Sequence, residues 1–373
     1  MIYLDNAATS FPKPKRVISR TSEYIKHNCG NPGRSSHRLA LRAAEEVYLA
    51  REAVAELFSV PYPERVVFTA NATHALNLAI KTLITKPCHV LTSDHEHNSV
   101  IRPLERLSRE IGISYSSFSL IGDVYENLNA ARRDDTRIVV CTLASNVSGR
   151  KCDLASVCRF CAVNRLELVL DASQLAGHEK IDLSKTPCSV LCAPGHKALF
   201  GFQGSGFAIF CDEKIRSSFM EGGSGSDSRS RDMPILLPER YEAGTLATPS
   251  IVSLRAGIDF IKDYGIENIE RRLKFIVREA ADSFREMKEI AIYGEENGIL
   301  CFSAEGFSPV EIADKLDKLG ICVRAGLHCA PAAHEVIGSI NTGTVRASFS
   351  ALNSPYDAKK LVDGVRKIIK GRP

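Results

Sequence analysis

The chain has 373 residues, of which 44% are hydrophobic and 25% are charged, and its formal net charge is +4. Because single hydrophobic cores rarely grow beyond about 250–300 residues, this length predicts two domains. The composition argues against extensive disorder, and the basic and acidic residues are interspersed rather than grouped into patches. We therefore expect a packed, soluble protein with neither a nucleic acid nor a membrane as its partner.

The amino terminus predicts a cytoplasmic location. Residues 1–8, MIYLDNAA, contain neither the basic nor the apolar segment of a secretory signal. No apolar run in the chain reaches the ~18 residues needed to span a bilayer. We therefore expect the protein to remain in the compartment where it is made.

The chain contains twelve cysteines, several of them within apolar runs, such as Cys141 in IVVCTL and Cys301 in ILCFSA. Such cysteines resemble small core residues in a reducing compartment rather than a disulfide framework. Cys152, Cys158 and Cys161 have the spacing closest to a metal site, but in the same stretch Leu154, Val157, Cys158, Cys161 and Val163 also suit one face of a helix. Structural thiols are favoured over zinc because no fourth ligand has a familiar spacing, so we predict no metal site.

Between residues 40 and 210, short β-branched apolar runs alternate with segments of helical periodicity. This alternation predicts an α/β fold, in which parallel strands are joined by right-handed helical crossovers. In such a sheet the ligand binds beyond the carboxyl ends of the strands. The predicted strands cover residues 65–68, 89–91, 138–143, 166–170, 189–191 and 206–210.

The second half of the chain contains a predicted loop and a smaller α+β unit. Residues 222–234, GGSGSDSRSRDMP, predict a mobile loop that is either a surface linker or an active-site lid. Pro249 opens a helix that leads out of the large domain. Ser308 and Ser354, each followed three residues later by an acid, predict capped helices. We divide the chain into a large α/β domain, residues 13–249, and a small α+β domain, residues 1–12 and 250–373.

Two stretches at predicted strand ends carry candidate catalytic residues. In LVLDASQLAGH an apolar strand ends at Asp171, and Gln174 follows three residues later. In CAPGHKALFGFQGSGF, His196 and Lys197 follow the next predicted strand. Alone, an Asp at a strand end is more often a helix cap, and a Lys is more often a solvated surface residue. The combination of the two stretches is more specific than either one.

This combination resembles the pyridoxal-phosphate (PLP) enzymes of fold type I, and among them aminotransferase class V. Similar motifs follow in order along nearly the whole chain, a series that does not arise by chance. The pattern Arg-x-Gly-x-His-Cys-Ala at residues 324–330 is similar to that of group II cysteine desulfurases and selenocysteine lyases. The other motifs are YLDNAATSFPKP at the start, NPGRSSHR around His37, FTANATHALN around Thr73, DHEHNSV around His97, SNVSG around Asn146, EAGTLATPS around Thr245, and VRASFSALN.

The resemblance implies how the PLP ring would be bound. Lys197 would form the Schiff base and later move a substrate proton. Asp171 would pair with the pyridinium nitrogen and so favour electron acceptance by the ring. Gln174 would hydrogen-bond the ring hydroxyl, His97 would stack on the ring, and Asn146 would lie near both cofactor and substrate.

The resemblance also implies how the phosphate would be bound. Thr73 lies at the start of a predicted helix, where free backbone N–H groups favour an anion. His196 would add a second contact. Thr245 would reach the phosphate of the neighbouring subunit, which implies a homodimer with shared active sites.

For the substrate, the resemblance implies L-cysteine or L-selenocysteine. Arg346 would bind the substrate carboxylate through a bidentate contact, to which a guanidinium is well matched. Arg324, Asn146 and His328 would lie nearby, and His37 would enter from the partner subunit.

Cys329 selects the reaction within this family. As one thiol among twelve it would pass for a buried core residue, but with His328 beside it and Arg324 nearby a partly exposed thiolate becomes plausible. Its attack on the substrate sulfur would leave alanine and a persulfide on Cys329, from which an acceptor protein could take the sulfur. A transaminase needs no thiol at this position.

The chain departs from the family pattern at three places. Pro194 stands where members carry a Ser or Thr that binds phosphate, and proline offers neither a hydroxyl nor an N–H group. Gly201 and Phe202 replace a Gly-Pro pair, and Leu327 replaces a second His. These changes leave the tightness of phosphate binding and the activation of the thiol open.

Three alternatives remain open at this stage. Selenocysteine lyase shares every motif, and another class V transamination or β-lyase reaction shares all but the thiol. A protein of a different class would keep the fold without catalysis and use Cys152, Cys158 and Cys161 to carry metal or sulfur.

Overall fold

The computed structural model describes residues 1–33, 36–212, 214, 216–226 and 229–371. The strands are β1 (Ile2–Tyr3), β2 (Val66–Thr69), β3 (His89–Ser93), β4 (Ser114–Phe118), β5 (Thr136–Thr142), β6 (Glu167–Asp171), β7 (Val190–Pro194), β8 (Gly206–Phe210), β9 (Ile290–Gly294), β10 (Ile299–Ala304), β11 (Ile321–Cys322), β12 (Arg324–Gly326) and β13 (Thr344–Ser348). The α-helices are α1 (Lys15–His27), α2 (Arg38–Leu57), α3 (Ala72–Leu83), α4 (Asn98–Ile111), α5 (Val124–Ala131), α6 (Leu154–Asn164), α7 (Thr248–Tyr264), α8 (Ile266–Arg285), α9 (Pro309–Lys318), α10 (Pro331–Val336) and α11 (Pro355–Lys370).

The central sheet has the strand order β2-β8-β7-β6-β5-β3-β4. The pairs from β7 through β6, β5 and β3 to β4 are parallel, so the sheet is mainly parallel, as predicted. Strand β8 is the exception, because it runs antiparallel to both β2 and β7. All the predicted strands are present, and β4 was missed because its sequence, SYSSF, is mostly polar.

The two faces of this sheet explain why the strands are so apolar. Alternate residues point to opposite faces, and helices cover both faces, so each strand buries side chains on both sides. Val140 and Val169 pack on the side of α3 and α4. Val139 and Leu168 pack on the other side, with buried residues of α2, α6 and α7.

A second sheet, β12-β13-β10-β9, is antiparallel, and β1 pairs separately with β11. The amino terminus is therefore joined to the carboxyl-terminal third of the chain. Ser308 and Ser354 form capping boxes at the starts of α9 and α11, and α7 begins at Thr248 with Pro249 in its first turn, as predicted. The domain boundaries after residues 12 and 249 remain a prediction.

The predicted mobile loop, residues 222–234, includes residues 227 and 228, which lie outside the described residues. Gly223 and Gly225 line a cavity together with Thr245, and the choice between linker and lid stays open. Within the described residues, none of the helices has both the length and the apolar character needed to cross a membrane.

Candidate active site

Four neighbouring strands of the central sheet end at one edge, at Ser93, Thr142, Asp171 and Pro194. A cavity lies at this edge, as expected for a sheet of parallel strands. Most of the predicted site residues line it, although they come from stretches that are far apart in the sequence. They are Thr73, His97, Asn146, Asp171, Gln174, His196 and Lys197.

Lys197 faces the cavity and is otherwise enclosed by protein. This burial lowers the pKa of its amine to about 8, with Arg346 and Arg324 lowering it further and Asp171 opposing them. A lysine with this pKa is neutral far more often near pH 7–8 than a surface lysine, so it is better suited to act as a nucleophile and as a base.

The backbone around Lys197 is held by another lysine. The ammonium group of Lys13 donates hydrogen bonds to the Ser10 hydroxyl at 2.8 Å and to the carbonyl oxygens of His196 at 3.0 Å and Gly201 at 2.6 Å. Burial lowers the pKa of Lys13 to about 8. Lys13 therefore fixes the chain on both sides of Lys197.

Asp171 is buried at the end of β6, and one of its oxygens accepts a hydrogen bond from the Ser173 N–H at 2.9 Å. A second acid, Glu96, lies behind the cavity and is fully buried. One oxygen of Glu96 accepts from the Ser93 hydroxyl at 2.5 Å and from the Thr142 N–H at 2.7 Å, while the other has no hydrogen-bond partner among the residues that the structure describes. Burial, with a contribution from Asp171, raises the pKa of Glu96 to about 8, so this acid is mostly protonated at neutral pH.

His97 is the N-cap of α4, and its Nδ1 accepts a hydrogen bond from the Ser99 N–H at 3.0 Å. Burial and the nearby Lys197 lower the pKa of the imidazole to about 4. His97 is therefore neutral, and the cap fixes the direction of its ring.

The opposite side of the cavity is suited to an anion. The Asn71 side chain caps α3 by accepting from the His74 N–H at 2.9 Å. The N–H groups of Ala72 and Thr73 have no hydrogen-bond partner within the part of the chain that the structure describes. The approach of α3 to β8 requires glycine at residue 206, because a Cβ there would lie 2.7 Å from the backbone of Asn71.

Arg324 and Arg346 lie directly opposite each other on β12 and β13. Arg346 is buried and donates to Asp5 at 2.8 Å and to the carbonyl oxygen of Asn146 at 2.7 Å, while its buried Nε has no hydrogen-bond partner in the described part of the chain. Like charges in directly opposed positions destabilise a sheet. The arrangement therefore favours an additional anion beside this pair.

Cys329 lies at the tip of a tight turn, closed by a hydrogen bond from the Ala330 N–H to the Leu327 carbonyl oxygen at 3.1 Å. Both central residues have positive φ, 52° for His328 and 61° for Cys329, in a region where residues with a Cβ are disfavoured. The side chain of Cys329 is exposed. The Asn98 N–H donates to the Cys329 carbonyl oxygen at 2.9 Å, and the Asn146 side chain donates to the His328 carbonyl oxygen at 2.6 Å. These two bonds hold the turn beside His97 and the cavity.

The side chain of His328 is buried, its Nε2 lies 3.2 Å from the Thr344 hydroxyl, and its Nδ1 has no hydrogen-bond partner within residues 1–33, 36–212, 214, 216–226 and 229–371. Burial and the charge of Arg346 lower the pKa of His328 to about 2, so the ring stays neutral. It contributes to the support of the turn.

Six of the predicted site residues do not line the cavity: Arg324, Arg346, His328 and Cys329, which lie on β12, on β13 and in the turn described above, and also Thr245 and His37. Thr245 is exposed and lines a different cavity with Arg51 and Glu242, while His37 is the exposed N-cap of α2. The sequence analysis expected both to act in the partner subunit, and that expectation remains a prediction.

The comparisons with known proteins now decide the family. The profile of aminotransferase class V matches residues 2–361. The chain belongs to the aminotransferase class V family. It is 32% identical to a probable cysteine desulfurase from Methanothermobacter thermautotrophicus, over 98% of this chain and 94% of that protein. It is 26% identical to a cysteine desulfurase from Pectobacterium carotovorum, over 99% and 93% of the two chains.

Solved structures agree with this assignment. An apo cysteine desulfurase from Thermococcus onnurineus NA1 superposes with a TM-score of 0.93 at 28% identity, over 100% of this chain and 95% of that one. A cysteine desulfurase from Escherichia coli gives a TM-score of 0.90 at 25% identity, over 99% and 94% of the chains. The predicted fold class, the fold type I of PLP-dependent enzymes, is confirmed.

Members of aminotransferase class V are generally PLP-dependent, and the cavity residues fit this cofactor. Lys197 offers an amine with a lowered pKa, Asp171 offers a buried acid, and α3 offers free N–H groups. In addition, the buried Nδ1 of His196 has no partner within the described residues. Pro194 lines the same cavity, which places the departure from the family pattern next to these groups.

Lys13, Glu96 and Asp5 were not predicted as site residues from the sequence, although each lies within one of the motifs given above. Neither a Lys between two prolines nor an acid directly before His97 carried a separate signal in the sequence. Among the described residues, no group of three or more His, Cys, Asp or Glu is placed to hold a metal ion. Cys158 and Cys161 lie in α6, as the helical interpretation predicted, and Cys152 precedes this helix.

Proposed function

We propose that this chain is a PLP-dependent cysteine desulfurase, which converts L-cysteine to L-alanine and leaves the sulfur as a persulfide on Cys329. The observation that carries the proposal is the position of the Cys329 turn. The bonds from Asn98 and Asn146 hold this exposed thiol beside the cavity that contains Lys197 and Asp171.

The cofactor would be held from three sides. Lys197 would bind it covalently, Asp171 would pair with its ring nitrogen, and Gln174 would reach the ring hydroxyl. Thr73, His196 and the start of α3 would bind the phosphate, an arrangement supported by the free N–H groups there. When bound, PLP supplies an aromatic system that accepts electrons from the substrate.

Residues on the other side would place the substrate. Arg346, with Arg324 opposite it, would bind the carboxylate, and this contact would relieve the repulsion between the two guanidinium groups. The free Nε of Arg346 supports this role, whereas its bonds to Asp5 and Asn146 limit a full bidentate contact without rearrangement. His97, neutral and fixed by its cap, would cover the ring.

The chain's own groups then move the protons and the sulfur. The Lys197 amine, with its pKa near 8, would take the proton from the substrate Cα. The Cys329 thiolate would attack the substrate sulfur and form an S–S bond. The C–S bond would break with its electron pair left on the substrate carbon, which a proton then converts to the methyl group of alanine.

We further propose a homodimer with shared active sites. Thr245 and His37 are exposed and lie outside the cavity of their own chain, as the prediction of action in the partner requires. We also propose that an acceptor protein takes the sulfur from Cys329, because this residue is exposed and therefore accessible to another protein.

The test is to add L-cysteine and, separately, L-selenocysteine to the purified protein loaded with PLP, and to measure alanine release and the absorption spectrum. We expect PLP binding, a spectral change on adding cysteine, and stoichiometric alanine and sulfur. A colourless protein that does not bind PLP would contradict the cofactor assignment. Overwhelming preference for selenocysteine would replace the desulfurase proposal by selenocysteine lyase.

A further inference from the structure

Two pairs of cysteines lie in close contact away from Cys329. The Sγ atoms of Cys141 and Cys152 are 3.4 Å apart, and those of Cys188 and Cys211 are 3.5 Å apart. The proposed sulfur chemistry uses none of these four thiols. Both distances exceed the S–S bond length of about 2.05 Å by roughly 1.4 Å.

The first pair lies at the base of an active-site loop. Cys141 precedes the last residue of β5, and the Cys152 N–H donates to the Leu143 carbonyl oxygen at 3.0 Å. The chain between them carries Asn146, whose side chain holds the turn of Cys329 and whose carbonyl oxygen holds Arg346. The second pair joins the start of β7 to the end of β8, at the opposite end of β7 from Pro194.

We propose that Cys141 and Cys152 form an oxidisable thiol pair, a modification site that a peroxide converts to a disulfide closing the base of the Asn146 loop. Cys152 is partly exposed and meets the oxidant first, while Cys141 is fully buried directly behind it. The contact with Cys152 and burial raise the pKa of Cys141, so Cys141 stays protonated until Cys152 has reacted.

The reaction is balanced with one peroxide. The Cys152 thiolate attacks a peroxide oxygen, the O–O bond breaks, and Cys152 becomes a sulfenic acid while hydroxide leaves and is protonated to water. The Cys141 sulfur then attacks the sulfur of the sulfenic acid, and its proton leaves with the hydroxyl group as a second water. Each sulfur loses one electron, and the peroxide gains both.

The disulfide would mainly restrict the motion of the loop between Cys141 and Cys152. It would link the two ends of the loop covalently and so restrict opening of the segment 142–151. Because Asn146 supports both the Cys329 turn and Arg346, a more rigid loop would also restrict the movement of these two active-site groups.

The experiment uses the full-length Cys329→Ser protein, so that oxidation of the exposed Cys329 cannot interfere. The protein is treated with hydrogen peroxide, alkylated after unfolding, and cleaved before aspartates, which yields a fragment of residues 135–152 containing only Cys141 and Cys152 as cysteines. We expect this fragment to lose two hydrogen atoms and both alkylation sites, and to recover them after reduction. Amide hydrogen exchange over residues 143–151 should slow several-fold in the oxidised protein.

The exposed Cys29 serves as an internal reference for the oxidant. If Cys29 is fully oxidised while Cys141 and Cys152 both remain alkylatable, or if Cys152 goes on to a sulfinic acid, the proposal is overturned. Cys188→Ala is the matched control, which should leave the fragment's disulfide unchanged, whereas Cys152→Ala should leave Cys141 alkylatable. If Cys152→Ala does not fold, the fragment mass without that substitution still decides the question, and the outcome is independent of whether the chain desulfurates cysteine.

Discussion

The backbone of Cys329 is bonded to that of Asn98, whose N–H donates to the Cys329 carbonyl oxygen at 2.9 Å. Asn98 directly follows His97, which lines the cavity with Lys197. This bond joins the loop after β12 of the second sheet to the segment after β3 of the central sheet, so residue 329 is held next to the segment that contains His97. The positive φ of Cys329 indicates that the backbone is strained to hold the thiol there.

Replacing Cys329 by glycine should relieve the strain of the turn and at the same time abolish sulfur transfer. Glycine adopts positive φ without the cost of roughly 1–2 kcal/mol that a Cβ imposes. We therefore expect Cys329→Gly to be about 1 kcal/mol more stable than Cys329→Ala, while both lose sulfur transfer. The measurement is denaturant unfolding followed by circular dichroism, and a Gly variant less stable than the Ala variant would show that the turn is not strained.

Lys13 is expected to be needed for cofactor retention. Replacing it by Met removes the donor from the carbonyl oxygen of Gly201, at a cost of about 1–3 kcal/mol for a buried group left unsatisfied, whereas the carbonyl oxygen of His196 still accepts from the Ser10 N–H. The chain on both sides of Lys197 then loosens, so Lys13→Met should be less stable and lose PLP faster on dialysis. Lys15→Met, at an exposed position of α1, is the control and should change neither property. Equal PLP retention by both variants would refute this role.

Glu96 predicts a pH dependence of stability. The pKa of Glu96 is raised to about 8 in the folded protein, whereas in the unfolded chain it has the ordinary value of 4.5. Between these two pH values the folded protein keeps a proton that the unfolded chain has lost. This contribution to stability is therefore full below the unfolded value and is lost as pH rises toward 8, by about 1.4 kcal/mol for each pKa unit of difference.

Glu96→Gln is the matched test, because glutamine has the shape of the protonated acid and does not titrate. The free energy of unfolding of the Gln variant, relative to the protein with Glu96, should rise between about pH 5 and about pH 8. A difference independent of pH would mean that Glu96 is ionised in the folded protein.

Much of the fold followed from the sequence, because buried strands such as β5 and β6 are continuous runs of β-branched and apolar residues with helices between them. Strand β4 lies at the sheet edge and is held by backbone pairing with β3, so its polar sequence gave no signal. The antiparallel direction of β8 depends on the path of the chain after Lys197. Strand periodicity alone contains no information about direction.

For the site, motifs identified the residues that meet in the cavity, including Asp171 and Lys197, although their chemical roles remain proposals. The sequence did not reveal Glu96 or Lys13, since their importance comes from burial and from partners distant in the chain. The contact between Cys141 and Cys152 likewise arises only when β5 and the chain before α6 come together.

Pro194 is expected to weaken phosphate binding. It lines the cavity at the end of β7 and can offer neither a hydroxyl nor an N–H group. Pro194→Thr should therefore slow the loss of PLP during dialysis, whereas Pro187→Thr at an exposed position should not. An unchanged rate for Pro194→Thr would indicate that the phosphate lies away from this residue.

The central claim is that the thiol of Cys329 receives the sulfur. Incubation with L-cysteine without reductant, followed by mass spectrometry of the fragment containing Cys329, tests it directly, with Cys322→Ser as a control that should behave as the unaltered protein. We predict that this fragment gains the mass of one sulfur atom, and that Cys329→Ser still binds PLP but carries no added sulfur. Added sulfur on a different cysteine, or undiminished sulfur release by Cys329→Ser, would contradict the account.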